Sequence, residues 1–545
     1  MKERMFGLET EYAITWIKGR KSPDREHLTH HFMEAAKKCL VHLPDLQSSG
    51  MFLENGSRLY IDCGQHPEFA TPECTNPWDA VRYLKAGEWI INSIIKQLRS
   101  DLKTGAEIFC SLCNVDYLQN TTWGCHESYL HQCDVRLLAS HLIPHLVSRT
   151  VFTGAGGFRP SAPGLRFTLS PRASYISHIV SSDSTGDRGI YHTKDESLSS
   201  GGYHRLHILC GESLRSETAI FLKVATTAII VAMIEAGIKP CNGMQLASPV
   251  DALHTVAADT NCREKLELAG GRTASALEIQ RNYLKLAELH QNDSFMPPWT
   301  AEVCSRWRKI LDLLEENPGK TNRILDWSIK QALYSHHLEK RGVGWEKISA
   351  WSKIVDELQS ALNERGRHSL LRPDLVFGPN SPVLETVARL TPRVRENGLR
   401  WDWMEDFLRL KQEMFEIDAR FGQLDDESVF RSLDRAGLLE HHIDGVNDIE
   451  QAAAHAPIGG RAQIRGEMIR RLAGQSGKYR CSWQVICDEE KVPVLDLSDP
   501  FAGRENGESS ARHENQRELP FADDDGVDPL LSPFLRVGGP SLGAR

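Results

Sequence analysis

The sequence predicts an α+β protein, a large domain of strands and helices followed by a small α+β module. Two N-terminal segments, Met5–Thr15 and Asn55–Cys74, alternate polar and apolar residues with the period of a strand. Helical spacing marks residues 23–40 and Pro77–Arg99, and it dominates from about 295 to 450. A short helix and a strand pair close the patterned chain between 451 and 501.

In the first strand, Glu9 and Glu11 share one face, opposite Leu8, Thr10 and Tyr12. Two like charges on one face repel each other unless a cation stands beside them. A helix at about 23–40 leads to the second segment. There Arg58, Tyr60 and Asp62 point one way and Leu59, Ile61 and Cys63 the other. A guanidinium, a phenol and a carboxylate are costly to bury without a charged ligand or metal to pair with them. Past Gly64 come His66, Glu68, Thr71 and Glu73, a dense set of oxygen ligands and phosphate-binding groups. Carboxylates with few soft competitors suit magnesium, above all when substrate phosphates complete its octahedron. The plainer reading of both segments is a pair of half-buried strands with a wet face.

The helix Pro77–Arg99 begins behind Asn76 with a proline at its first position. Its stripe of Val81, Leu84, Ile91, Ile95 and Leu98 faces inward, broken by Glu88. Strands then alternate to about residue 210. RFTLSPRASYI reads as a strand with Arg166 and Thr168 on one face, and TGAGG (Thr153–Gly157) as a turn, because it lacks the Lys-Ser/Thr ending of a phosphate loop. In YHRLHILCG, Arg205 and His207 share a face, either as phosphate- and metal-side groups or as a salt-bridged wall. The apolar stretch Val224–Ile234 is too short to span a bilayer and reads as a buried helix.

At 545 residues, with 41% hydrophobic and 25% charged residues, the composition is that of an ordinary globular protein. A net charge of −9 and no basic stripe argue against nucleic acid as a partner, and no membrane partner is expected. Thirteen cysteines without a small-domain framework predict a reducing cytoplasm. Cys110 and Cys113 raise a zinc reading, but EIFCSLCNVDYL reads better as a buried strand in which Cys is a small apolar residue. No apolar signal core precedes the acidic strand.

The motifs GLETEY, NGSRLYIDCGQHPEFATPEC, AGEWII, WGCHESYL, HRLHILCGES, LKVATTAIIVAMIE and LAGGRTASALEIQR stand in this order over residues 1–290. Together they resemble the Pup ligase and depupylase family, the proteasome accessory factor A enzymes, relatives of glutamine synthetase. The similarity returns at about 401–442 and 457–501. It implies a glutamine synthetase-like domain over 1–450, with a curved, mainly antiparallel sheet forming a cradle. A helical insertion at about 343–400, a small C-terminal domain at 451–501 and a disordered tail at 502–545 complete the expected layout. Glu9, Tyr60 and Glu68 then look like magnesium ligands, with His207 beside them. Arg58, Thr71, Trp483 and Arg205 look like ATP contacts, and Asp62 like the catalytic base. The segment holding His126 and Glu127 lines the family's amino-acid carboxylate site.

The implied reaction is ATP-dependent joining of the C-terminal glutamate γ-carboxylate of a Pup-like modifier to lysines of protein substrates, through a glutamyl phosphate, in the proteasome pathway. The depupylase branch of the family is the first alternative. It carries a long loop between the acidic strand and the NGxR strand, whereas Arg58 here lies only 49 positions beyond Glu9. The spacing from Asp62 to Glu68 is six steps, with Gly64 inside, which matches the ligases. An inactive nucleotide-binding adaptor is the alternative from another class, and the intact acidic set argues against it.

Overall fold

The computed structural model describes residues 4–17, 25–102, 107–117, 121–160, 162–192, 198, 201–364, 391–396 and 403–503. The expected tail from 504 onward, residues 365–390 and 397–400 of the expected insertion, and residues 401–402 beyond it lie outside them.

Among the described residues the central feature is a nine-stranded sheet. From edge to edge its strands are Ile176–Ser181, Arg188–His192, His204–Ile208, Cys125–His131, Phe6–Glu11, Pro67–Ala70, Arg58–Ile61, Met51–Leu53 and His42–Pro44. Every pairing is antiparallel except that between the first two. The first strand of the chain sits near the middle, with His126 and Ala70 opposite Glu9 and with Glu68 opposite Glu11. Tyr60 faces Glu68, and Ser128 faces His207. Directly opposed residues share a face, so this register gathers Glu9, Glu11, Arg58, Tyr60, Glu68, His126, Ser128, Arg205 and His207 on one side. Leu8, Leu59, Phe69, Tyr129 and Leu206 fall on the other and are buried.

Helices cover that apolar side. Pro77–Leu102, Val135–Ser148, Glu217–Glu235, Ala276–His290 and Thr300–Glu316 join the sheet in one continuous core. Glu217–Glu235 is longer than the apolar stretch read from sequence, because Ser216 caps it and Glu217–Lys223 are themselves buried. It is long and apolar enough to cross a membrane, yet it is enclosed by protein throughout. Burial of ionic groups here is paired: Glu88 meets Lys85 and Arg215, and Glu127 meets Arg149.

Two expectations from sequence are corrected. RFTLSPRASYI is not one strand, since Phe167–Thr168 is separated by the 3-10 turn Arg172–Tyr175 from the next strand, which begins at Ile176. Pro171 supplies no N–H for a ladder, and Glu212 holds the turn by accepting from the backbone N–H of Arg172 (2.9 Å) and of Ala155 (2.7 Å). Cys63 is not on the apolar face of a strand either. The strand ends at Ile61, and Cys63 stands exposed in the turn that follows.

The helix Trp345–Glu364, within the expected insertion, packs Ile348, Trp351, Ile354, Val355 and Leu358 against Phe158, Tyr334, Met404 and Phe407 in a second core. At the C-terminal end, the helix Arg461–Leu472 and three strands build a third. It takes in Leu43 and Phe52 from the edge of the main sheet. The small module therefore closes over one end of the polar face.

Candidate active site

Two separate clefts border the sheet. One is lined by Glu9, Thr71, Ser128, Arg205, Arg461 and Trp483, over a floor of Gly7, Leu8 and Ala70. The other opens on Asp62. Five neighbouring strands carry the site's side chains, and the period-two alternation puts those side chains on the same surface.

On the first side, Glu9, His126 and His207 each bring a ligand atom to within 4.8 Å of the others. His126 Nδ1 lies 3.9 Å from Glu9 Oε2 and 3.6 Å from Glu68 Oε1. Arg205 Nη2 donates to His207 Nδ1 (2.8 Å) and to Glu9 Oε1 (3.3 Å), and its Nε donates to Ser128 Oγ (3.1 Å). Arg205 thus links His207 to Glu9, a guanidinium beside the acidic group.

Glu68 is buried, and its Oε1 has no hydrogen-bond partner. Burial, and then the charges of Glu9 and Asp62, push its carboxyl up to about 8. The Tyr60 phenol is pushed up too, by burial first and then by Glu9 and Glu68. Burial also lowers the His126 pKa, so that this imidazole is a neutral donor of a lone pair or a proton. An orphaned carboxylate oxygen among acids is what a divalent cation would relieve. The oxygen donors of Glu9, Tyr60 and Glu68 fit magnesium.

On the second side Asp62 sits in the turn between Arg58–Ile61 and Pro67–Ala70. Its Oδ1 accepts from the His66 backbone N–H at 2.6 Å, and its Oδ2 lies 3.2 Å from His66 Nδ1. Burial raises its carboxyl pKa, but the hydrogen bonds and charge of His66 outweigh that and hold it below the usual range. Asp62 is therefore ionised at neutral pH. Glu11 approaches the same turn, its own pKa raised by burial, with Oε2 accepting from the Gly124 N–H at 2.6 Å.

The remaining sequence-derived candidates fall as follows. Arg58 places its Nη2 2.6 Å from Asp45 Oδ2 and stacks its guanidinium 4.1 Å from the Tyr60 ring centre. Thr71 Oγ1 accepts from the Leu8 N–H at 3.1 Å, at the wall of the first cleft. Trp483 meets Phe52 edge-on at 5.1 Å, with the Arg465 guanidinium 4.8 Å from its ring centre. The two residues of the CHES motif part: His126 joins the cleft, while Glu127 turns to the helices and pairs with Arg149 and Lys223.

Sequence reading missed Arg461 and Arg465. They stand four apart on the helix Arg461–Leu472 and grip Glu73, with Arg461 Nε 2.6 Å from its Oε1. Burial raises the Glu73 pKa, but the two guanidiniums dominate and bring it to about 2. Glu73, grouped by sequence with the oxygen ligands, is thus the clasp for the C-terminal module. The i, i+4 arginines after Gly459-Gly460 were the available signal.

A family model described as "Pup-ligase protein" matches residues 4–371 and 390–487. Of the segment 343–400 it skips only 372–389. A Pup–protein ligase of Nocardioides sp. is 32% identical over 432 residues, covering 75% of this chain and 94% of the relative. One from Mycobacterium avium is 35% identical over 351 residues, with 62% and 75% covered. Among solved structures, the complex of the prokaryotic ubiquitin-like protein Pup with its ligase PafA superposes with a TM-score of 0.70 at 23% identity, covering 93% of this chain and 91% of that one. A Pup ligase PafA in complex with ADP gives 0.63 at 23% identity, covering 90% and 95%. These superpositions establish the same α+β fold.

Proposed function

Because the chain belongs to the Pup-ligase family, we propose that it is an ATP-dependent Pup–protein ligase, forming an isopeptide bond between the modifier's C-terminal glutamate γ-carboxylate and a lysine of a target protein. The tagged target would enter proteasomal degradation, and the ATP supply places the reaction in the cytoplasm. One observation supports this reading above the rest. The sheet register sets Glu9, Tyr60 and Glu68 side by side on one surface, with the ionised Asp62 at its far end.

A carboxylate is a poor electrophile, so the γ-carboxylate first takes the γ-phosphoryl group of ATP, giving an acyl phosphate and ADP. Thr71 and Trp483 line the cleft that takes the nucleotide, and Arg205 sits where a guanidinium would meet the phosphoryl oxygens as charge moves onto them. Arg58 would add a second guanidinium on the same face. Magnesium held by Glu9, Tyr60 and Glu68, with His207 at the edge, would neutralise the phosphate charge. Asp62 attracts the incoming lysine ammonium and removes its proton. The amine then attacks the acyl carbon, an amide C–N bond forms, and inorganic phosphate leaves with the former carboxylate oxygen.

Hydroxylamine tests the activated intermediate. With ATP, magnesium and a Glu-terminated modifier, but no target protein, it should trap a γ-hydroxamate in step with ADP release. ADP release without hydroxamate would remove the acyl phosphate from the scheme.

A further inference from the structure

The cleft over Asp62 lies between the helix Arg25–Cys39 and the turn Asp62–His66. Its volume is about 600 Å³, the scale of a peptide-sized pocket and well beyond one side chain. It shares no lining residue with the cleft around Trp483. Its lining carries three carboxylates, Glu26, Glu34 and Asp62, against one lysine, Lys37. Lys37 Nζ already lies 2.7 Å from Glu34 Oε1 and His66 contacts both Asp62 oxygens, so the exposed Glu26 is the carboxylate best placed to meet an incoming cation at the mouth of the cleft.

A second feature points to the same place. Gln65, at the tip of the turn, adopts a left-handed backbone with φ of 62°. That region is unfavourable for a residue with a Cβ, and glycine would occupy it freely. The turn is closed by the Asp62 N–H donating to the His66 carbonyl at 3.0 Å and the Gln65 N–H donating to the Asp62 carbonyl at 3.1 Å. A glutamine held in this backbone conformation at the wall of the cleft, beside the Asp62 carboxylate, is a reason to look for a ligand there.

We propose that this cleft is the docking site of the acceptor protein, taking the surface segment that carries its reactive lysine. Glu26 would attract the segment's positive charge, Gln65 and His30 would contact its backbone, and the lysine would run down to Asp62. The proposal rests on the reading of Asp62 as the base. It assigns the two macromolecular substrates to different surfaces, since the modifier's glutamate must reach the nucleotide cleft around Trp483, which shares no lining residue with this one.

The test separates docking from chemistry. A Gln65→Gly/His30→Ala variant and a separate Glu26→Lys variant of the full chain are assayed with a single-lysine acceptor protein and with hydroxylamine. Each should raise the KM for the acceptor protein about tenfold, so that its kcat/KM falls about tenfold relative to that for hydroxylamine. Asp62→Asn should instead lower kcat for the acceptor, which keeps failure of the base assignment distinct from failure of the docking site. An unchanged acceptor KM in both folded variants overturns the proposal. A rise in the KM for the modifier instead would give the cleft to the modifier and overturn it equally.

Discussion

At the residue scale, the site depends on how the alternation of a few strands is spent. Glu9 and Glu11 diverge in role although they share a face: one meets His126 and Arg205, the other approaches the Asp62 turn. Asp62→Asn keeps size and hydrogen-bonding shape while removing charge and basicity. Conjugation to lysine should fall by about two to four orders of magnitude, the usual worth of a general base. Nucleotide affinity should survive, as measured by titration with ADP, because Thr71, Trp483 and Arg205 are untouched. A normal conjugation rate would leave the proton acceptor to another group. That Glu9 shares a face with Glu11, and Arg58 with Tyr60, was legible in sequence because period two is a local property, whereas the grouping of Glu9 and Tyr60 with Glu68 came only from the family resemblance, since it depends on the register of three strands. The ties of Glu73 to Arg461 and Arg465 were not, because they join residues 388 and 392 positions apart.

At the element scale, the Asp62–His66 turn and the helix Arg461–Leu472 do most to shape the site. The helix docks through Glu73, which lies partly buried against both arginines. Its carboxyl stands at about 2, against 4.5 when free. A depressed carboxylate stabilises the fold above its unfolded pKa, and the stabilisation is lost as pH falls from about 4.5 through about 2. The pairing is then worth on the order of 3 kcal/mol at neutral pH. Glu73→Gln should lower the melting temperature at pH 7, and its gap to the wild type should begin to close below pH 4.5. A gap that stays constant to pH 3.5 would show that the clasp is not electrostatic. Elements with long periodic patterns, such as Pro77–Leu102, were readable from sequence. The 3-10 turn at Arg172–Tyr175 was not, because its stability comes from Glu212, a residue distant in sequence.

At the scale of the whole molecule, the main core backs the apolar face of the sheet and the C-terminal core closes one end of its polar face. The large helical layer gives the sheet rigidity, and the C-terminal module borrows Leu43 and Phe52 from the sheet edge to bring Trp483 over the first cleft. The α+β class was legible because strand and helix periods separate cleanly along the chain. The packing of Trp351 into a second core was not, since an added segment and a structural helix look alike until their partners are known. The account stands most directly on the product the protein makes. The wild type is incubated with ATP, magnesium, a Glu-terminated modifier and a lysine-bearing target, and intact masses are read. A species equal to modifier plus target less one water, with one ADP released per conjugate, is the predicted result. No conjugate, together with ammonia release from a Gln-terminated modifier or cleavage of a preformed conjugate, would contradict it.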